Sequence, residues 1–288
     1  MTAISAAAVN ELRKKTDQPL MDCKKALTES GGDMEKAVDL LRSWNAKAGV
    51  KREANETAEG RVGIAIEGDK AAILELRCES APTAKNDLTV KLVNDLAQAV
   101  IADNPADVAG LLAKHQDRLN EVVGVIREKM VPHRFERLDG GVFGSYIHHD
   151  GTVGVLIQCK GEKANDEALR DICAHVAALN PAYLRTTDVP ADVVAREKTF
   201  LLQQTQESEK AAEDKATAEG KKFNPKPANI LEKIGEGKLK TWFGETVMLE
   251  QPMANAGKYP NTTIGALLAK YGLTVEKVVR YKVGAQSV

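Results

Sequence analysis

The chain has 288 residues, 43% of them hydrophobic, enough for one large packed domain with appendages or for two modest ones. Its 40 basic and 41 acidic side chains leave a formal charge of -1, which argues against bulk nucleic acid or an anionic membrane as the main partner. The four cysteines, Cys23, Cys78, Cys159 and Cys173, show no CxxC spacing, there is no basic region ahead of a long apolar run at the N-terminus, and no apolar stretch is long enough to span a bilayer, so the expectation is a cytoplasmic protein without disulfides or a zinc ribbon.

From Ser5 to Asn45 apolar residues recur at helical spacing in three bursts: Val9 and Leu12; Leu20, Met21, Ala26 and Leu27; then Met34, Ala37, Val38, Leu40 and Leu41. Asp17 with Pro19 suits a start for the second helix, Gly31-Gly32 a stop, and Asp33 an N-cap for the third. This predicts a three-helix module over residues 1–47. Residues 48–60, small and charged with one isolated Val50, read as a linker that lets the module move semi-independently.

Beyond the linker the period changes from helical to alternating: RVGIAIEG, a turn at Gly68-Asp69 and AAILELRC predict a β-hairpin. A helix follows from about Asn86 to Ala102, then two further helical stretches, about Asp107 to Lys114 and Asp117 to Met130. The hairpin-plus-helix order then recurs. VFGSYIHH, a turn at Asp150-Gly151 and TVGVLIQC precede NDEALRDICAHVAALNP, with a cysteine late in each second strand, Asn-Asp opening each helix and Asn-Pro closing it. Two related α+β halves are expected, the first over 61–139 and the second over 140–186 and 245–288.

From Pro190 the pattern is helical to Leu202, and residues 203–222 hold no apolar side chain larger than alanine. A helix that is polar all round cannot lie in a core, so this segment is either an exposed arm or a partly disordered insertion, interrupted by Pro225 and Pro227. The arm is assigned to 187–244. IGALLAKYG then reads as a helix and VEKVVRYKVG as a strand returning to the second sheet.

Catalytic signatures are missing: GK never carries the glycine and Ser/Thr of a phosphate-binding loop, and HExxH, GxSxG and GxGxxG do not occur. No nucleotide, cofactor or metal is expected. His148 and His149 adjoin on what reads as extended chain and so should point to opposite faces, a poor metal geometry. His175, on an apolar helix face, reads as a core histidine, and the cysteines as small buried hydrophobes. In LMDCKKAL, Leu27 with Met21 or Ala26 meets the one buried face that a short helix needs. Leu20 and Met21 are then either core or surplus, and an exposed methionine beside lysines suits a protein-binding surface.

ELRKKT followed by LMDCKKALTESGGDMEKAVDLLR resembles the N-terminal signature of the elongation factor Ts family. The resemblance continues in the family's order through AAILELRCES with AKND, GSYIHHDGTVGVLI, ICAHVAALNP and GETVMLEQP, from Met1 to about Gly284. It implies a fold with a ubiquitin-associated-like three-helix module, two core subdomains and a coiled-coil insertion. It also implies a guanine-nucleotide exchange factor, not an enzyme, whose partner is elongation factor Tu in GDP-bound and nucleotide-free states. The residues implied are Leu12, Leu20 and Met21 for the GTPase domain, the turn Ser80, Ala81, Pro82 and Thr83 for dislodging magnesium, and Tyr146 and His148 for a further domain of the partner. Some members dimerise through the insertion, so a dimer of heterodimers is among the expected assemblies.

Two departures stand out. Ser80-Ala81-Pro82-Thr83 replaces the family's Thr-Asp-Phe-Val, losing the aspartate and the aromatic wedge, and only four residues follow Gly284 where some members carry a helical extension. One rival expectation is a chaperone-like or RNA-associated protein of the same fold with weak or no exchange. The other is an enzyme using His148, His149 or a cysteine.

Overall fold

The computed structural model describes residues 4–52, 54–161 and 166–285; Asn165, expected to open a helix, and both chain ends lie outside the described residues. The fold is α+β, and it divides into two compact units, 1–177 with 275–288 and 178–274.

The first unit begins with three helices, α1 (Ala6–Thr16), α2 (Leu20–Glu29) and α3 (Met34–Lys51). Ser5 caps α1 by accepting from the Ala8 N–H at 3.1 Å. Asp17, expected to start α2, instead closes α1 in a left-handed conformation (φ 53°) with its N–H on the Arg13 carbonyl, and Pro19 takes the N-cap position of α2. Gly31 and Gly32 (φ 66° and 92°) end α2 as expected, and the Asp33 carboxylate accepts from the Glu35 and Lys36 N–H groups at the start of α3. Val9, Leu12, Cys23, Ala26, Leu27, Ala37 and Leu41 form the module's own core.

The helix α3 runs on to Lys51, past the break expected at residue 48. Alanine and lysine favour helix there, and tertiary contact extends the element: Asn45 is buried against Gly124, where an added Cβ would come within 2.2 Å of it.

β1 (Glu59–Glu67) and β2 (Lys70–Cys78) pair antiparallel around Gly68-Asp69, and α4 (Ala81–Lys85), α5 (Asp87–Asp103) and α6 (Val108–Ile126) follow. The two helical stretches expected between Asp107 and Met130 are one helix, capped by Asp107 and ended by Arg127 at φ 65°, so Met130 is not helical. It opens a strand without a counterpart in the sequence reading, β3 (Met130–Asp139), antiparallel to β2. Glu75 pairs with Arg134 and Leu76 with Pro132, leaving His133 as the extra residue of a bulge, which accommodates a proline inside a strand.

The second half repeats the order strand, strand, helix, strand. β4 (Val142–Ile147) and β5 (Val153–Lys160) pair antiparallel, α7 (Asp166–Leu179) follows, and β6 (Thr274–Lys282) joins beside β5 as expected, giving two three-stranded sheets with the orders β1-β2-β3 and β4-β5-β6. Gly144 lets α7 close on its sheet, since a Cβ there would lie 2.5 Å from that of Leu169.

Two cores flank the first sheet. On one face of the first sheet Leu74, Leu76 and Cys78 pack against Leu92, Leu96 and Val100 of α5 and Leu119 and Val123 of α6. On the other, Val62, Ile73 and Leu138 meet Phe143, Leu156, Val279 and Tyr281 of the second sheet. Each buried leucine contributes about 1.5–3 kcal/mol, an upper figure set against an extended chain.

The second unit contains α8 (Ala191–Ala218), α9 (Ala228–Thr246) and α10 (Ile264–Lys270). The segment read as either arm or disordered insertion is helical, and α9, not separated in the sequence, packs beside α8 with Pro225 and Pro227 in the connection. Lys238 donates to Gln204 at 2.8 Å and the Lys226 N–H to Glu209 at 2.8 Å. Among the described residues no helix is long and apolar enough to cross a membrane.

Candidate protein-binding surface

The first turn of α2 presents the pair that the sequence left ambiguous. Leu20 is 44% and Met21 70% exposed, while Cys23, Ala26 and Leu27 of the same helix are buried. The helical period explains the division: positions 23, 26 and 27 share the inner face, and a ten-residue helix has no second apolar face to cover. Leu12, expected with them at the surface, is instead 0% exposed in the module core, because its three-residue spacing from Val9 puts both on the inner face of α1.

Residues 80–83 begin a helix. Ser80 is the N-cap of α4, accepting weakly from the Thr83 N–H at 3.4 Å, with Pro82 in the first turn where no N–H is needed. Thr83 is buried and Ser80 and Ala81 half-buried, so Pro82 is the exposed residue of the four. The Ser80 hydroxyl and N–H both donate to the Glu128 carboxylate, at 2.8 and 3.1 Å. Alongside, Glu79 accepts from the Asn55 amide at 2.9 Å and from the Lys129 N–H at 2.5 Å. These bonds, the amide first, hold its carboxyl below the usual range.

Tyr146 near the end of β4 and His148 just beyond it are both half-buried, with the tyrosine hydroxyl 3.2 Å from His148 Nδ1. His148 and His149 do not point apart: the strand stops at Ile147, and in the turn beyond it their rings meet edge to face at 4.3 Å. Asp150 is engaged by the Thr152 N–H and hydroxyl, each at 2.9 Å. Burial works against its charge, yet those two bonds leave its pKa lowered. No cluster of three metal-ligating side chains occurs among the described residues.

The thiols offer no nucleophile. All four cysteines are buried, and burial raises their pKa values, Cys78 to about 11 and Cys159 to about 12. His175 is likewise interior, 3% exposed. A cavity of about 420 Å³ lies among Ala46 of α3, Leu112, Leu119 and Val123 of α6 and Met130 and Val131 of β3. Its polar lining is limited to Gln116, Asn120 and Lys129, whose ammonium is given to the Asn55 carbonyl at 2.8 Å.

Sequence reasoning passed over Asp22, Gln18, Arg127 and Glu128. Arg127 forms an ion pair with Asp22, and the buried Gln18 amide donates to the Glu121 carbonyl at 3.2 Å, so the module is docked on α6. These partners stand 48 to 105 residues apart, and no local pattern signals such pairs.

Comparison with known proteins adds an independent line. Residues 83–285 match the family described as elongation factor TS. The chain is 38% identical to elongation factor Ts of Polynucleobacter asymbioticus over 99% of this chain and 91% of that protein. It is 35% identical to elongation factor Ts of Thioalkalivibrio sulfidiphilus over 98% of this chain and 92% of that one.

Proposed function

The chain belongs to the elongation factor Ts family, and from that premise we infer that it is a guanine-nucleotide exchange factor for elongation factor Tu. The observation that carries the reading is the near full-length match to proteins of that name, joined to the exposed Leu20-Met21 pair on the N-terminal module. Leu20 and Met21 grip the GTPase domain, the start of α4 at Ser80–Thr83 approaches its magnesium site, and Tyr146 with His148 meets a further domain. With Asp and Phe replaced by Ala81 and Pro82, the ring-constrained Pro82 is the wedge at that tip.

Exchange of this kind makes and breaks no covalent bond. GDP is held by a phosphate loop, a helix N-terminus and Mg²⁺, so a protein that binds best when those elements are displaced weakens GDP by the factor by which GDP weakens it. A coupling of a few kcal/mol speeds release by orders of magnitude. The partner is engaged both with GDP and empty, in the cytoplasm, and the α8–α9 arm is the element available for pairing two complexes.

The test is release of labelled GDP from elongation factor Tu with the chain added to saturation. Faster dissociation is expected; an unchanged rate with binding demonstrated in the same sample would favour the binding-only alternative.

A further inference from the structure

Three consecutive residues join α6 to β3, and between them they are tied to two remote elements. Arg127 is ion-paired with Asp22, the residue directly after the exposed Leu20-Met21 pair. Glu128 takes two donors from Ser80, at the head of the α4 turn. Lys129 gives its N–H to Glu79, just ahead of the same turn, and its ammonium to the Asn55 carbonyl ahead of β1 at 2.8 Å. The backbone at Arg127 is left-handed, φ 65°, a conformation that glycine takes without strain and arginine does not. An arginine stands there nonetheless, and its guanidinium reaches across to the module.

We propose that the connector 127–129 is a positioning device that fixes the spacing between the two elements facing the GTPase, the first turn of α2 and the start of α4. Neither Arg127 nor Glu128 needs to touch the partner. Asp22 is held where its neighbour Met21 projects, and Ser80 is held where Pro82 projects. Gln18 on Glu121 and Asn45 against Gly124 keep the module seated on α6 but leave the end of that helix to the Arg127–Asp22 pair. A fixed spacing matters because a contact that must deform a phosphate site works only while the other contact holds the GTPase still; slack between them gives binding without displacement. The consequence for exchange rests on the function inferred above, whereas the spacing is a property of this chain alone.

The experiment has two arms on the full chain. Spin labels at Met21→Cys and Pro82→Cys report the spacing by pulsed dipolar spectroscopy, with the four native thiols buried and out of reach. Arg127→Gly, which relaxes the backbone while removing the guanidinium, and Glu128→Ala are compared with wild type and with the swapped pair Asp22→Arg/Arg127→Asp, aspartate being tolerated in the left-handed region. The distance distribution is expected to broaden in both single variants with cooperative melting retained, and to narrow again in the swapped pair. In unlabelled protein the maximal GDP release rate at saturation is expected to fall roughly 3- to 10-fold, with the half-saturating concentration changed less, and to recover in the swapped pair. An unchanged distribution in both single variants overturns the proposal, as does a broadened one with undiminished maximal release. Should the wild-type chain fail to release GDP, the exchange reading is what fails, and the distance arm still decides whether the connector holds the spacing.

Discussion

The first sheet and the helical arm are stabilised in opposite ways. In β2 every residue from Ala71 to Leu76 is buried, including Glu75, whose carboxylate is held by Arg77 at 2.9 Å and Arg134 at 2.7 Å. In α8, a helix of 28 residues, only Leu201 and Thr205 are buried and Phe200 is 56% exposed. Packing fixes the sheet, whereas helix propensity, exposed near-neighbour pairs such as Asp192–Arg196 and contact with α9 hold the arm. The difference teaches where change is tolerated: a substitution in the sheet region disturbs every surface element built on it, and one in the arm stays local. The candidate contact elements lie between the extremes, exposed residues seated on buried ones.

The strongest way to break this contrast is a cavity under the first sheet. Leu92→Ala, at a fully buried position of α5, is expected to cost about 2–5 kcal/mol in denaturant unfolding, while Phe200→Ser on the arm stays within about 0.5 kcal/mol; equal effects would erase the distinction. Next comes the grip itself. Met21→Asp is expected to weaken binding to elongation factor Tu about 10- to 100-fold by titration, with the melting temperature unchanged, and a lost melting transition would place Met21 in the core.

Ser80→Ala removes the α4 cap and the hydroxyl donor to Glu128 while keeping the backbone N–H donor, for an expected loss of about 1 kcal/mol read from urea unfolding. Smaller still is a pH effect at Glu79. Its folded pKa is depressed from 4.5, so its contribution is present above that value and is lost as pH falls through the lower folded one. Glu79→Gln should therefore lose less stability than wild type between neutral pH and acid, by urea unfolding at each. Last, replacing residues 206–236 by a short flexible turn, which shortens α8 and α9 together, should leave the GDP release rate unchanged, sharpening the separation between arm and grip.

Particular elements show how much was legible beforehand. Local chemistry gave the cap and turns at Asp33, Gly31-Gly32, Gly68-Asp69 and Asp150-Gly151, and the recurrence of hairpin and helix gave two related sheets. β3 was hidden because Pro132, a bulge at His133 and a row of charges break the alternation that marks a strand. The end of α3 was misplaced because Gly124, far along the chain, makes room for Asn45. At the candidate surface the spacing left Leu20 and Met21 open between core and surplus, and the burial of Cys23, Ala26 and Leu27 decided it. Leu12 was carried to the surface by family resemblance, against its own spacing.

The sequence alone determined the module, the fold class and the family, since those follow from periodicity, capping residues and long stretches of matching order, all local along the chain. Tertiary structure alone decided that the module is docked on α6, and that Arg127, Glu128 and Lys129 reach Asp22, Ser80 and Glu79. Such contacts join residues 48 to 105 positions apart, and a charge on a one-dimensional chain carries no mark of the partner that folding will bring to it.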